Sequence, residues 1–367
     1  MRRAELWNAE RGVRNAACKR AGRCRAANDL SQQLRIPHSP FPILTLARLP
    51  LVPVLVGPTG VGKTAVAAEM ANLRPVTVIS ADARQVYRHL DIGTAKPPPA
   101  LRALAPHLGI DLIEPGERYS AGRFAREAAV WLEQVRAAGR EPLVVGGTGF
   151  YVRALADGLF QEPPLDPVRR ESLRVWATRL PAARLAHWAA RLDRGFAGGG
   201  RQRGARAIEV ALLTGRALSW WQREARATGA MRPWYIHLTL PRDVLHQRIA
   251  ARVDGMLAAG LVAEVRGLLE GGVDAEAPGL DGVGYREVVA MLRGTLPASD
   301  LRDAIVVATR RYAKRQETWF RNQLRAEKAD VRHQTSVWTL DATEAPATLA
   351  TTIIERWQSL LTSDVDV

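Results

Sequence analysis

The segment Gly57-Pro58-Thr59-Gly60-Val61-Gly62-Lys63-Thr64 constrains this chain more than any other. It fits G-x-x-x-x-G-K-[ST] and lies between an apolar run, Leu51 to Val56, and a helical pattern from Lys63 through Leu73. The spacing has a chemical reason. Glycines let successive backbone N–H groups converge on phosphate oxygens, Lys63 neutralises their charge, and the Thr64 hydroxyl can join a Mg2+ shell. A strand that feeds such a loop and then a helix opens a parallel α/β sheet, whose strands hold ligands at their carboxyl ends. A diphosphate or triphosphate is therefore the expected ligand.

The same alternation continues along the chain. Val76 to Ile79 is a second apolar run and ends in Ser80-Ala81-Asp82; a helical segment, Ser120 to Ala138, precedes a third run, Pro142 to Val145, which ends in Gly146-Gly147-Thr148-Gly149. From about Pro163 to Pro233 the character changes to Arg/Ala/Leu/Trp-rich helical patterning, interrupted at Gly198-Gly199-Gly200. The strand-like WYIHLTL from Trp234 returns the chain to the sheet. Long helices follow from Asp243 to the region of Gln323, then the strand-like SVWTLDAT and a helix to Leu361. The expected fold class is α/β: a P-loop parallel sheet core flanked by helices, formed by residues 51–162 and 234–345, with an inserted helical domain at 163–233 and a C-terminal helix at 346–367.

Charge points to a polyanionic partner. The 367 residues carry a net charge of +15 and a pI near 10.8, a field that attracts phosphate backbones; a GC-rich coding bias toward arginine is the alternative source of that charge. Residues 1–50 form a basic, acid-poor leader, which could be an RNA-touching arm, an organellar presequence, or upstream sequence from a misassigned start, the last being favoured. The two cysteines, Cys18 and Cys24, both fall in that leader with neither zinc nor redox spacing, so a reducing cytoplasm fits. No run of about eighteen apolar residues exists to span a membrane.

Two features narrow the chemistry. Enzymes that hydrolyse nucleotides on this fold normally place an acidic residue at the end of a later strand to hold magnesium and polarise water, whereas LVVGGTG ends in glycines and a threonine. A transferase is the better class. On the helix from about Leu301, Arg310, Lys314 and Arg321 share one narrow arc, with Ile305, Tyr312, Gln316 and Trp319 nearly opposite. Such a cationic face is usually only solvated, but beside a phosphate loop it suits a nucleic-acid backbone.

Several further segments resemble the tRNA dimethylallyltransferase family, in that family's order, from roughly Val54 to Asn322. They are ISADARQVYRHLDIGTAKP, IDLIEPGERYSAGRF, VGGTGFYVRAL, QRGARAIEV followed by TG, DGVGYRE and KRQETWFRNQL. The resemblance implies transfer of a dimethylallyl group from dimethylallyl diphosphate to the N6 amine of the adenine 3′-adjacent to a tRNA anticodon. It implies Asp82 as general base, with Lys63, Thr64, Arg242 and Arg248 around the diphosphate and Mg2+ held partly by Thr64. It places tRNA contacts at Asp82, Ala83, Arg84 and Gln85, at Thr148, at Arg170, at Gln202, Arg203, Gly204, Ala205 and Arg206, and at Asp281, Gly282, Val283, Gly284, Tyr285 and Arg286. Gln85 is the side chain expected to meet a base edge. The expected partners are tRNA and dimethylallyl diphosphate, with no membrane; the expected state is a cytoplasmic monomer, and ATP binding is an open possibility of the loop signature.

Some positions depart from the family pattern. Ala83-Arg84 stands where Ser-Met is usual, Gly60-Val61 replaces Ala-Ser, and Gly198-Gly199-Gly200 precedes QR in place of an Asn-Asp-Pro-like approach. Asp82 could alternatively cap the next helix or bind Mg2+. A small-molecule P-loop kinase, an adenylate isopentenyltransferase and a nucleotide-switched RNA-binding protein are the competing readings; the first two would not need the helical insertion or the basic late helix.

Overall fold

The structure is a computed structural model that describes residues 49–160, 165–225, 228–329 and 337–363. The leader's residues 1–48, with Cys18 and Cys24, lie outside the described residues. The strands are β1 (Leu51–Val56), β2 (Val76–Ser80), β3 (His107–Leu108), β4 (Glu141–Gly146), β5 (Arg232–Thr239) and β6 (Val337–Asp341). They form one sheet in the order β3-β2-β4-β1-β5-β6 with every pairing parallel. The expected P-loop α/β core is thus present. β5 starts at Arg232, two residues before the apolar pattern suggests, because Leu51 of β1 already pairs there.

A strand covered on both faces needs apolar side chains at successive positions, and β1 is buried at every position after Leu51. Its alternation sends Val52, Val54 and Val56 to one face, with Ile79, Phe124, Tyr151 and Phe320, while Leu55 meets Met70, Trp234, Ile353 and Trp357 on the other. Each large aliphatic side chain so buried contributes roughly 1.5–3 kcal/mol. Pro53 is tolerated in this central strand because pairing with β4 starts only at Val54, so its missing N–H removes no bond on that side.

Helices cover both faces. In chain order they are α1 (Lys63–Leu73), α2 (Pro99–Leu104), α3 (Ala121–Ala137), α4 (Gly149–Asp157), the insertion's α5 (Pro167–Thr178), α6 (Ala182–Leu192), α7 (Arg201–Thr214) and α8 (Leu218–Glu224), then α9 (Arg242–Ala258), α10 (Leu261–Glu270), α11 (Tyr285–Leu292), α12 (Leu301–Ala329) and α13 (Pro346–Ser363). Sequence signals set several ends. The Ser120 hydroxyl accepts from Arg123 N to start α3, and the Asp166 carboxylate accepts from Val168 N and Arg169 N ahead of Pro167 at the start of α5. Among the described residues no helix is long and apolar enough to cross a membrane.

The insertion has its own small core of Ala177, Leu185, Ala189, Ala207 and Ile208, and α6 and α7 approach closely at Gly204, where a Cβ would lie 3.2 Å from Leu185. A separate cluster, including Val86, Leu90, Leu261, Tyr285 and Ile305, packs the long loop after β2 against α10, α11 and α12. Inside that loop the buried Lys96 ammonium donates to Tyr87 O at 2.6 Å, Asp91 at 2.7 Å and Asp111 at 2.6 Å. Three acceptors compensate the buried charge and fix the path of the chain that follows Asp82.

Candidate active site

The order β3-β2-β4-β1-β5-β6 reverses direction around β1 and β4, and such a switch point leaves a crevice at the strands' carboxyl ends. Three loops emerge there: Gly57–Thr64 after β1, the segment starting at Ala81 after β2, and Gly147-Thr148 after β4.

The phosphate loop has the backbone its glycines permit. Gly57, Gly60 and Gly62 have φ of 147°, 85° and 107°, and a Cβ at Gly57 would lie 2.6 Å from Leu238 O. The Lys63 ammonium folds back over the loop and donates to Gly57 O at 2.9 Å and Pro58 O at 2.8 Å. Burial lowers its pKa to about 8, opposed by the Asp82 carboxylate and assisted by Arg252. Thr64 is exposed on the first turn of α1. Lys63, Asp82 and Arg252 thus act on one another and form a charged centre beside the phosphate loop.

Arg252 is missing from the sequence-based candidates. Burial pushes its pKa down and the Asp82 carboxylate raises it. Arg248 sits one helical turn earlier and braces the loop from outside, with Nη1 donating to Val61 O at 3.4 Å and Nη2 to Ala342 O at 3.1 Å. Arg242 is exposed at the start of α9. The i, i+4 spacing of Arg248 and Arg252 on one helix was the available signal. Leu245 and Ile249 of the same helix contact Gly60, so α9 sets the loop's position.

Asp82 is held by a turn and by its neighbours. Its Oδ1 accepts from Arg84 N at 2.8 Å, and Thr148 Oγ1 accepts from Ala83 N at 3.0 Å. The strands meet tightly here: a Cβ on Gly146 would fall 2.2 Å from Ala81 O. Tyr312 of α12 is hydrogen-bonded to the Thr148 side chain, and burial together with the Asp82 charge raises its phenol to about 12. Tyr312 therefore remains a neutral hydroxyl beside Asp82. The Gln85 amide, expected to meet a base, is engaged inside the protein: its Oε1 accepts from Ser80 Oγ at 2.8 Å, and its Nε2 donates to Thr94 O and Ala95 O, each at 3.3 Å.

Next to Asp82, beginning at Ala83, lies a cleft of about 600 Å³ lined by Arg84, Tyr87, Arg118, Tyr119, Tyr151 and Gln202 among others. Arg286 and Asp281 also border it, and Arg84 pairs with Asp281 at 3.8 Å. The cleft thereby joins the loop after β2, the start of α7 and the segment before α11. Tyr87, Arg118, Tyr119 and Tyr151 fall inside the quoted motifs yet are not among the candidate site residues, because a linear pattern does not show which side chains line one cleft.

Other predicted contacts divide by role. Tyr285 is buried; its hydroxyl donates to Glu264 at 2.6 Å and accepts from Gly93 N at 3.0 Å, so it anchors the loop after β2. Gly284 N donates to Glu287 at 2.7 Å at the start of α11, while Gly282 sits against Arg84 and Val283 lies between these glycines. In the insertion, Arg170 donates to the buried Glu209 at 3.0 Å, Arg174 does so at 3.3 Å, and Arg206 pairs with the same carboxylate. Gln202 and Arg203 are exposed at the start of α7, Gly204 is buried and Ala205 is half-buried. On α12, Lys314 and Arg321 are exposed, joined by Arg311 and Arg315, while Arg310 is half-buried with its Nε buried and its charge acts on His246 of α9. Ile305 and Gln316 are buried and Tyr312 and Trp319 half-buried, as the periodicity expects.

Comparison with known proteins agrees with this geometry. The family described as IPP transferase matches residues 85–323, and that described as isopentenyl transferase matches residues 50–102. The tRNA dimethylallyltransferase of Syntrophobacter fumaroxidans is 43% identical over 282 residues, covering 76% of this chain and 82% of that protein. Its counterpart in Stenotrophomonas maltophilia is 42% identical over 295 residues, covering 77% and 93%. Among solved structures, the tRNA isopentenylpyrophosphate transferase of Bacillus halodurans superposes with a TM-score of 0.63 at 30% identity, covering 87% of this chain and 99% of that one. A eukaryotic dimethylallyltransferase acting on tRNA gives 0.67 at 26% identity, covering 80% and 74%. With the loop, the β2 carboxylate and the helical insertion all in place, this chain belongs to the IPP transferase family, that of the tRNA dimethylallyltransferases.

Proposed function

We propose that the chain transfers a dimethylallyl group from dimethylallyl diphosphate to the N6 amine of the adenine 3′-adjacent to the tRNA anticodon, giving N6-isopentenyladenosine and diphosphate. The observation that carries this reading is the charged centre, in which the Asp82 carboxylate acts on Lys63 of the phosphate loop and on Arg252 of α9, next to an arginine- and tyrosine-lined cleft that begins at the neighbouring Ala83. The loop amides, Lys63 and Arg252 hold the donor's diphosphate. Their positive charge gains value as the bond from C1 to oxygen breaks and negative charge collects on the leaving group.

An adenine in a stack cannot reach this centre, so the base is turned out of the anticodon loop and enters by the cleft. Its amine attacks C1 of the donor, the C1–O bond breaks, and the amine's proton passes to Asp82. Thr148 and Tyr312 border the same carboxylate and position the nucleobase. Exposed cations on α12 and at the start of α7, with the Arg170 and Arg206 cluster, hold phosphates of the stem and loop.

The donor set also fits a magnesium ion: the exposed Thr64 hydroxyl at the loop's end would hold it together with the diphosphate oxygens, and it would supply further neutralisation of the leaving group. β4 ends at Gly146 and is followed by Gly147-Thr148, with no carboxylate of the kind that holds magnesium and polarises water in nucleotide hydrolysis, which favours transfer. The test is incubation with labelled dimethylallyl diphosphate and unmodified tRNA, followed by mapping of the label. Label confined to that adenine is expected, and hydrolysis of nucleoside triphosphates without prenyl transfer would refute it.

A further inference from the structure

Gln316 is buried on α12, 6% exposed, and both ends of its amide are used. Its Oε1 accepts from Thr59 N at 2.8 Å, and its Nε2 donates to Gly147 O at 2.9 Å. The fit around it is close: a Cβ on Gly147 would lie 2.2 Å from Gln316 Nε2. Gln316 therefore joins the phosphate loop after β1 to the loop after β4, and its carbonyl takes the N–H of the third residue of the phosphate loop.

That N–H matters for how many phosphates the loop can hold. In loops of this type the amides nearest the helix cradle the inner phosphates, and the lysine reaches the outer ones. Here the amides from Gly60 to Thr64 lead into α1, and Thr59 N lies farther out, next to the Pro58 carbonyl already bound by Lys63. A third phosphate extending past the first two would find no free N–H at Thr59. It would meet the Gln316 carbonyl oxygen, an acceptor that repels an anion, fixed at its other end by Gly147.

We propose that Gln316 is a specificity-determining residue that restricts the loop to diphosphates, by occupying the Thr59 amide that a third phosphate would need. The inference rests on the assignment of the donor's diphosphate to this loop. It explains how a loop with the signature of a nucleotide site serves a prenyl diphosphate without being filled by nucleoside triphosphates.

The test is equilibrium binding of magnesium diphosphate and magnesium tripolyphosphate to the full chain and to Gln316→Met, with thermal melting as a check on folding. The unaltered protein is expected to prefer diphosphate by about tenfold or more. Methionine keeps the side-chain volume and offers no comparable acceptor, so Thr59 N–H becomes free and the preference shrinks by about tenfold, chiefly through tighter tripolyphosphate binding. An unchanged preference in a folded variant overturns the proposal. If the variant does not fold, the unaltered protein decides alone, since tripolyphosphate binding as tight as diphosphate overturns it equally. Prenyl transfer to tRNA is measured in parallel. Transfer without diphosphate selectivity refutes the role of Gln316 and not the function; selectivity without transfer refutes the function and not the role; failure to bind diphosphate refutes both.

Discussion

Replacing Asp82 by asparagine isolates the charge of the proposed base. Asp82 Oδ1 already accepts from Arg84 N at 2.8 Å, and an asparagine oxygen can take that bond unchanged, so the turn after β2 survives. What disappears is the second carboxylate oxygen as a proton acceptor. General-base assistance is worth roughly 10²–10⁴ in rate, or about 3–5 kcal/mol of barrier, so single-turnover transfer from labelled dimethylallyl diphosphate should slow by that factor. Asp82→Ala should abolish transfer as well, and by removing the acceptor for Arg84 N it should also cost about 1 kcal/mol of stability in a denaturant melt. Phosphate contacts to tRNA lie elsewhere, on α12 and the insertion, so the tRNA Kd from filter binding should change less than threefold in Asp82→Asn. A rate within threefold of the unaltered protein, or a tRNA affinity that falls in step with the rate, would refute the assignment.

The depressed pKa of Lys63, about 8 against an ordinary 10.5, has two consequences of opposite sign. Diphosphate favours the ammonium, so donor binding takes up a proton above pH 8 and affinity should fall there by up to about tenfold per pH unit, read by calorimetry in buffers of different ionisation enthalpy; a flat profile from pH 7 to about 9.5 sinks the prediction. For the free protein, the unfolded chain binds more protons between pH 8 and 10.5, so this one group makes stability rise with pH across that window. Lys314→Ala should reduce the salt slope of tRNA binding by roughly 0.7–0.9, and an unaltered slope would remove Lys314 from the phosphate contacts. Gly149→Ala places a methyl 2.1 Å from the Trp319 ring, so it should lower stability by about 1–3 kcal/mol in a urea melt; an unmoved midpoint would mean that α4 and α12 part at no cost.

Much of the core is local information, and local information is legible in a sequence. The run Leu51–Val56, the glycine loop and the helix Lys63–Leu73 follow from apolar continuity, φ-permissive residues and helical propensity within about twenty positions, and the structure keeps all three. The placement of Asp82 was equally accessible, because a residue just after a parallel strand must emerge at the ligand end of the sheet. Side-chain partners were not accessible in this way. Gln85 and Tyr285 sit in conspicuous motifs, yet their polar atoms meet Ser80, Thr94, Ala95, Glu264 and Gly93, which a linear pattern cannot pair with them.

The arginines of α9 show the same division most plainly. Sequence determines that Arg242, Arg248 and Arg252 share a helix, and the helical period groups the last two on one side. Only the packing of that helix against Gly60 decides that Arg248 braces the carbonyls of Val61 in the loop and Ala342 beyond it, while Arg252 comes under the influence of Asp82 and Lys63. The same holds for Gln316 and Thr59, which lie 257 residues apart and are joined by one hydrogen bond. Strand, loop and helix arise from interactions between near neighbours. The direction in which a charge or an amide finally points depends on which distant surfaces close around it, and that is settled only when the sheet, α9 and α12 pack together.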